Sequence, residues 1–218
     1  MGRAKTIIIT LFVVVAIAAV GFAAYTLGAK KNTVSSSNNN SQNITTSTSS
    51  KNSYVASNEG LTSFPDSALS NRNIVLLDLS HNQITTLPSQ IGQLTRLEDF
   101  NISYNMLTGS LPGEIRKMSL KNLNASYNRL TGVPAEIGQQ QNLRNINFSY
   151  NQLTGLPNEL SNIPVVDVLD LSYNSIDSIT DLSKYKNVKT LKLTGNKLTA
   201  SQISQLQAAL PSTQIISN

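Results

Sequence analysis

The residues best suited to chemistry in this chain are one histidine, two aspartates, and tyrosines and asparagines that recur at equal spacing. His81 is the single histidine, and the 218 residues include no cysteine. Acid–base work near neutral pH would therefore run through His81 alone. Thiolate nucleophiles, disulfides and thiolate metal sites are excluded by composition. No G-x-S-x-G, phosphate-binding glycine loop or dinucleotide fingerprint accompanies the histidine. The expectation is a chain that is not an enzyme and needs no cofactor and no metal.

The spacing points to recognition instead. Asp78, Asn101, Asn124, Asn147 and Asp170 form one series with steps of 23 residues, and His81, Tyr104, Tyr127, Tyr150 and Tyr173 form a second. Tyr offers apolar area and a hydroxyl at low entropic cost, so it is enriched where proteins bind ligands. Side by side, the two series would suit an extended peptide, a loop of a partner protein or a glycan. These ten residues are the candidate ligand-binding set.

Both series belong to a longer phrase, L-x-x-L-x-L-x-x-N-x-L, with other apolar residues standing in for Leu. Its six copies begin at Ile74, Leu97, Leu120, Leu143, Val166 and Val188, giving steps of 23, 23, 23, 23 and 22. Positions four to six alternate apolar and polar, the period-two pattern of a short strand with one buried face. One such coil cannot bury its apolar side alone, so neighbours must stack. The outward positions are then three, five, seven and eight. Position nine is Asn82, Asn105, Asn128, Asn151, Asn174 and Asn196. A buried amide carries donors and an acceptor, so these six are expected to satisfy the backbone where the chain turns. Pro then fixes the chain, and Ile91, Ile115, Ile137 or Leu160 returns to the core.

This phrase resembles the leucine-rich repeat family, whose units run to roughly 20–29 residues. The resemblance covers residues 54–218. It implies an α/β repeat solenoid, a horseshoe with a parallel β-sheet on its concave side and irregular loops behind. Two copies depart from the pattern. The second carries an extra residue before Pro112 and one fewer after it, so its convex loop should bulge there. The fifth reads ITDLSKYKN without Pro and resembles a 22-residue subtype with a short helical or 3₁₀ back. Residues 53–73 read as an N-terminal capping repeat, 74–198 as the six repeats and 199–218 as a C-terminal cap.

The stack cannot place a carboxylate pair for glycoside chemistry. Asp78 and Asp170 lie four repeats apart, roughly 19 Å at about 4.8 Å per strand. Asn39, Asn43, Asn101, Asn124 and Asn147 match N-x-[ST]. The last three follow from the repeat itself, and modification there would block the outward face.

Ahead of the repeats the chain changes character. After a short tail at 1–5, residues 6–27 form an uncharged apolar run, about 33 Å long as a helix, enough to cross a bilayer core of about 30 Å. We read it as a transmembrane signal anchor, with N-terminus inside and repeats extracytoplasmic. The alternative is a signal peptide cleaved near Ala19–Gly21 or Gly21–Ala23, which would release a secreted binding protein. Residues 28–52, rich in Ser, Thr and Asn, have too little apolar area to offset ordering entropy and read as a disordered linker. The anchor followed by this stalk looks bacterial in composition.

The net charge of +5 comes from Arg3, Lys5, Lys30, Lys31 and Lys51; from residue 53 onward, 12 basic residues balance 12 acidic ones. A neutral repeat domain does not call for nucleic acid. The favoured function is a non-catalytic, membrane-tethered module that binds a protein or peptide, with a glycan as a further option. A structural envelope or adhesion component acting by self-association is the alternative. Oligomeric state is not legible here.

Overall fold

The computed structural model describes residues 52–217. The tail at 1–5, the apolar run at 6–27 and the linker up to residue 51 lie outside the described residues. Among the described residues no helix is long and apolar enough to cross a membrane.

Ten strands follow in chain order: β1 (Ser53–Val55), β2 (Leu76–Asp78), β3 (Asp99–Asn101), β4 (Thr108–Gly109), β5 (Asn122–Asn124), β6 (Arg129–Leu130), β7 (Asn145–Asn147), β8 (Val166–Asp170), β9 (Val188–Lys192) and β10 (Gln214–Ile216). Eight of them form one parallel sheet in the order β1-β2-β3-β5-β7-β8-β9-β10. The register advances by one coil at each step: Tyr54 pairs with Leu77, Leu77 with Phe100, Phe100 with Leu123, and so on to Ile215. Because the apolar pattern repeats with the coil, no other register keeps every position-four side chain on the core side.

The core is a single cluster running the length of the stack. Leu77, Leu123, Leu169 and Leu191 at position four and Leu79, Ile102, Ala125, Phe148 and Leu171 at position six are 0% exposed. Behind the sheet, Pro88, Pro112, Pro134 and Pro157 each precede a 3₁₀ turn: Ser89–Gln93, Gly113–Lys117, Ala135–Gln139 and Asn158–Asn162. Pro needs no N–H there, and its φ suits entry into a helical turn. Each turn delivers one apolar side chain, Ile91, Ile115, Ile137 or Leu160, at no more than 2% exposure.

The two departures in the sequence have distinct outcomes. In the second copy the loop before Pro112 forms a small second sheet with the third, in which β4 pairs in parallel with β6 and Gly109 takes a left-handed φ of 68°. The fifth copy closes with a shorter 3₁₀ turn, Leu182–Lys184, and buries Tyr185 in place of the Pro segment. The Tyr185 hydroxyl donates to the carbonyl of Pro157 at 3.0 Å.

Both ends carry short helices. α1 (Asp66–Ser70) follows Pro65 in the first coil. α2 (Ala200–Ala209) starts with a capping box: Gln202 N–H donates to Thr199 Oγ1 at 3.2 Å, and Thr199 N–H donates to Gln202 Oε1 at 2.8 Å. That reciprocal pair satisfies two of the orphan donors of a helix start. Leu206 and Leu210 anchor α2 to the last coil.

Candidate ligand-binding surface

The position-nine asparagines form the spine beneath the site. Asn128 is representative. Its Nδ2 donates to Ile102 O in the preceding coil at 3.0 Å and to Ala125 O and Ser126 O in its own, both at 3.2 Å. Its Oδ1 accepts Leu107 N–H at 2.9 Å. Asn82, Asn105, Asn151 and Asn174 repeat this set, and Asn196 closes the series with bonds to Leu171 O, Leu193 O and Ile176 N–H. Asn82 also takes Glu59 N–H and Leu61 N–H, which ties in the irregular first coil. The ladder locks each strand to the turn that follows it, so the outward side chains stand at fixed spacing.

Position seven corrects the sequence reading. Ser80, Ser103, Ser126, Ser149 and Ser172 are buried, with exposures of 3–8%, and do not face outward. Position-five side chains turn back to hold them. Asn124 Oδ1 accepts both Ser126 N–H at 3.2 Å and Ser126 Oγ–H at 2.8 Å, and Asn101 and Asn147 do the same with Ser103 and Ser149. Asp78 and Asp170 accept the N–H of Ser80 and Ser172. This is the Asx-turn habit of a short amide or carboxylate two residues before an N–H. The [DN]-x-S spacing was its visible signal.

With Oδ1 occupied, the Nδ2 groups of Asn101, Asn124 and Asn147 have no protein partner among the described residues. They form a row of hydrogen-bond donors on the half-buried outer face. Beside it, at position three, Asn145 Nδ2 donates to Asn122 Oδ1 at 2.7 Å, and Asn122 Nδ2 donates to Asp99 Oδ1. Asp170 is neutralised by Lys192 at 3.2 Å. Asp78 has no ion pair among the described residues.

Position eight lies past the strand, in the left-handed region. His81, Tyr104, Tyr127, Tyr150 and Tyr173 have φ of 53–56°, and Asn58 and Gly195 continue the series at 61° and 73°. Tyr there costs backbone energy that stacking offsets. The five rings form one continuous stack, with centroids 4.1–4.2 Å apart and planes within 16°. Strands in a sheet sit about 4.7–4.9 Å apart. The rings thus stand closer to one another than neighbouring strands do. The stack also changes what the column offers a ligand. Ring faces are spent on one another, which leaves edges and hydroxyls outward. Burial first, then hydrogen bonding with Tyr150 and Tyr104, holds the Tyr127 phenol protonated above its ordinary range. Burial raises Tyr150 likewise.

Of the ten candidate residues, Asp78, Asn101, Asn124, Asn147 and Asp170 run across the sheet in register, and His81, Tyr104, Tyr127, Tyr150 and Tyr173 form the ring stack. They offer amide donors, phenol hydroxyls and the Asp78 carboxylate. Among the described residues no group of three or more His, Asp or Glu side chains converges as a metal site.

The family model for the leucine rich repeat matches residues 72–130 and 118–176. The chain belongs to the leucine-rich repeat family. Such repeats are typically binding scaffolds rather than catalysts. Among solved structures, a leucine-rich repeat protein of Leptospira interrogans is 28% identical, with TM-score 0.52, over 75% of this chain and 53% of that one. The ectodomain of the Arabidopsis receptor kinase HAESA, solved with an N-terminally extended IDA peptide hormone, is 28% identical, with TM-score 0.57, over 72% of this chain and 28% of that one. An adenylate cyclase of Podospora anserina is 49% identical over 49 residues, 22% of this chain and 2% of that protein. This leucine-rich repeat chain thus spans about half of the Leptospira structure and about a quarter of the receptor ectodomain. The cyclase likeness amounts to about two coils.

Proposed function

We propose that the repeats are a non-catalytic module that binds a protein or peptide segment on the concave face, across Asn101, Asn124, Asn147 and the flanking tyrosines. The observation that carries this is the row of Nδ2 donors of Asn101, Asn124 and Asn147, which have no protein partner among the described residues. A bare donor row on a half-buried face gains most from a ligand rich in carbonyl or carboxylate oxygens. The tyrosine edges and hydroxyls add acceptor-seeking surface beside it. The peptide hormone bound to the HAESA ectodomain supports a peptide as the class of partner. In this reading the apolar run at 6–27 holds the module at a membrane, and the Ser/Thr/Asn-rich linker carries it clear on the extracytoplasmic side.

The test uses a substitution that the protein already tolerates elsewhere. Asp78 and Asp170 show that Asp at position five makes the same bond to the following Ser N–H. Asn101→Asp, Asn124→Asp and Asn147→Asp together keep that bond and replace the donors by acceptors. Selection of a displayed random-peptide library on the full-length chain should enrich peptides that the triple variant binds at least tenfold more weakly. Equal binding by the variant would remove the site from this face. Protease accessibility of the repeats on intact cells tests the extracytoplasmic placement; protected repeats would reverse it.

A further inference from the structure

Position five of the three central coils is a column of donors alone. Asn101, Asn124 and Asn147 each use Oδ1 twice, once for the N–H and once for the Oγ–H of the serine two residues on. An amide oxygen has two lone pairs, so its accepting capacity is filled. The Nδ2 groups keep their donors. The strands run in register, with Asn101 beside Asn124 and Asn124 beside Asn147. At about 4.8 Å per strand, Asn101 and Asn147 stand about 9.6 Å apart.

Carboxylates bracket the column. Asp78 pairs in register with Asn101, and Asp170 with Asn147. Asp170 is matched by Lys192 at 3.2 Å. Asp78, and Asp99 two residues before Asn101, have no ion pair among the described residues, and Lys121 is held by Glu98 at 2.7 Å.

An ordinary extended peptide fits this column poorly. It carries an N–H for nearly every C=O, and those N–H groups would face donors. Its one-sided repeat of about 6.6–6.8 Å matches neither one strand spacing nor two. An acidic segment would set its carboxylates between Asp78 and Asp170, against like charge. A proline-rich segment escapes both faults. Pro has a carbonyl and no N–H. In polyproline II the carbonyls make no internal hydrogen bonds, and each three-residue turn rises about 9.3 Å. That is within about 0.3 Å of two strand spacings. Such a segment already populates this conformation in water, so binding orders it little.

We propose that the segment held at position five is proline-rich and in the polyproline II conformation. Carbonyl oxygens three residues apart accept from Asn101 and Asn147 Nδ2, with Asn124 midway between them, and a basic side chain pairs with Asp78. Asp78 stands one strand beyond Asn101, so at about 3.1 Å per residue the basic side chain comes one or two residues from the first bonded carbonyl. This rests on the reading of that face as a peptide site.

The probes are a capped oligoproline, the same oligoproline preceded by arginine, and a capped oligoglutamate of equal length. Fluorescence anisotropy follows their binding to the full-length chain in detergent micelles. Both oligoprolines should bind, the arginine form more tightly, and oligoglutamate should not. Asn101→Asp, Asn124→Asp and Asn147→Asp together should weaken the uncharged oligoproline at least tenfold. Asp78→Asn keeps an acceptor for Ser80 N–H, as the asparagines at this position do for their serines. It should abolish the gain that arginine confers and leave the uncharged oligoproline bound. An undiminished gain in Asp78→Asn would overturn the pairing with the basic residue. Oligoproline binding that the triple variant retains, or oligoglutamate binding as tight as that of oligoproline, would sink the proposal. So would library-selected peptides that depend on the three asparagines yet lack proline, and in that case the peptide site itself stands. If no peptide of either kind depends on the three asparagines, the site and the proposal fall together.

Discussion

The ring of Tyr173 lies over the backbone of Gly195, where a Cβ would stand 2.5 Å from Tyr173 Cδ1. Gly195 also holds a φ of 73°. The aromatic stack ends here because the next residue in the series has no side chain to add. Gly195→Ala should cost about 1–3 kcal/mol from the left-handed backbone and the displaced ring, measured by urea unfolding. Tyr173→Ala removes the obstructing ring. The double variant should therefore lose less than the sum of the two single losses. Additive losses would show that the ring and the glycine do not meet.

The asparagine spine makes a sharper claim. Asn128→Leu strands Leu107 N–H inside the stack and leaves Ile102 O with Asn105 Nδ2 as its side-chain donor, so it should cost about 1–3 kcal/mol. Asn128→Asp retains an acceptor for Leu107 N–H but turns a carboxylate oxygen toward Ile102 O, Ala125 O and Ser126 O. It should be no more stable than Asn128→Leu at neutral pH. A midpoint of denaturation equal to the native one for either variant would contradict the ladder.

Tyr127 and Tyr150 sit inside the stack, so removing both breaks three ring contacts. At about 0.5–1.5 kcal/mol per contact, Tyr127→Ala with Tyr150→Ala should lose about 2–4 kcal/mol and remain folded. Near-UV circular dichroism should lose most of its tyrosine signal while the far-UV spectrum stays native. Binding of selected peptides should weaken at least tenfold. Unchanged affinity would move the site off the concave face.

Alkaline pH acts on the buried phenol of Tyr185. Burial first, then the carboxylates of Asp181 and Glu159, raise its pKa well above the ordinary 10.0. In the unfolded chain the phenol ionises near pH 10, whereas in the folded chain it keeps its proton. Its contribution is therefore complete below about pH 10 and is lost as pH climbs through the raised folded value. The melting temperature should fall as pH rises above 10. Tyr185→Phe should start lower by about 1–2 kcal/mol for the lost bond to Pro157 O and then fall less steeply. Parallel pH profiles for the two proteins would exclude Tyr185 as the cause.

Much of this was legible because repetition makes each physical demand appear many times. Leu77 alone says little; Leu77, Leu123, Leu169 and Leu191 at one phase define a buried column. Asn at all six ninth positions announced an inward ladder for the same reason. The capping box of Thr199 and Gln202 was not picked out from the sequence. Position seven was misread, since strand alternation does not continue past Asp78. The strand ends there, and Ser80 is held by the side chain it would have stood beside. The stacking of His81 on Tyr104 was missed, although Asn58 and Gly195 in the same series are residues that tolerate positive φ.

By itself the sequence determined the coil length, the core columns and the asparagine spine, since each follows from periodicity and residue type along one chain, while the parallel pairing was implied by the resemblance to the leucine-rich repeat family. Only the tertiary structure decided that the position-five amides turn their oxygens inward and leave their donors out, and that the tyrosines spend their faces on one another. Those outcomes depend on distances between coils 23 residues apart and on a left-handed backbone at each turn, and neither is a property of any local stretch.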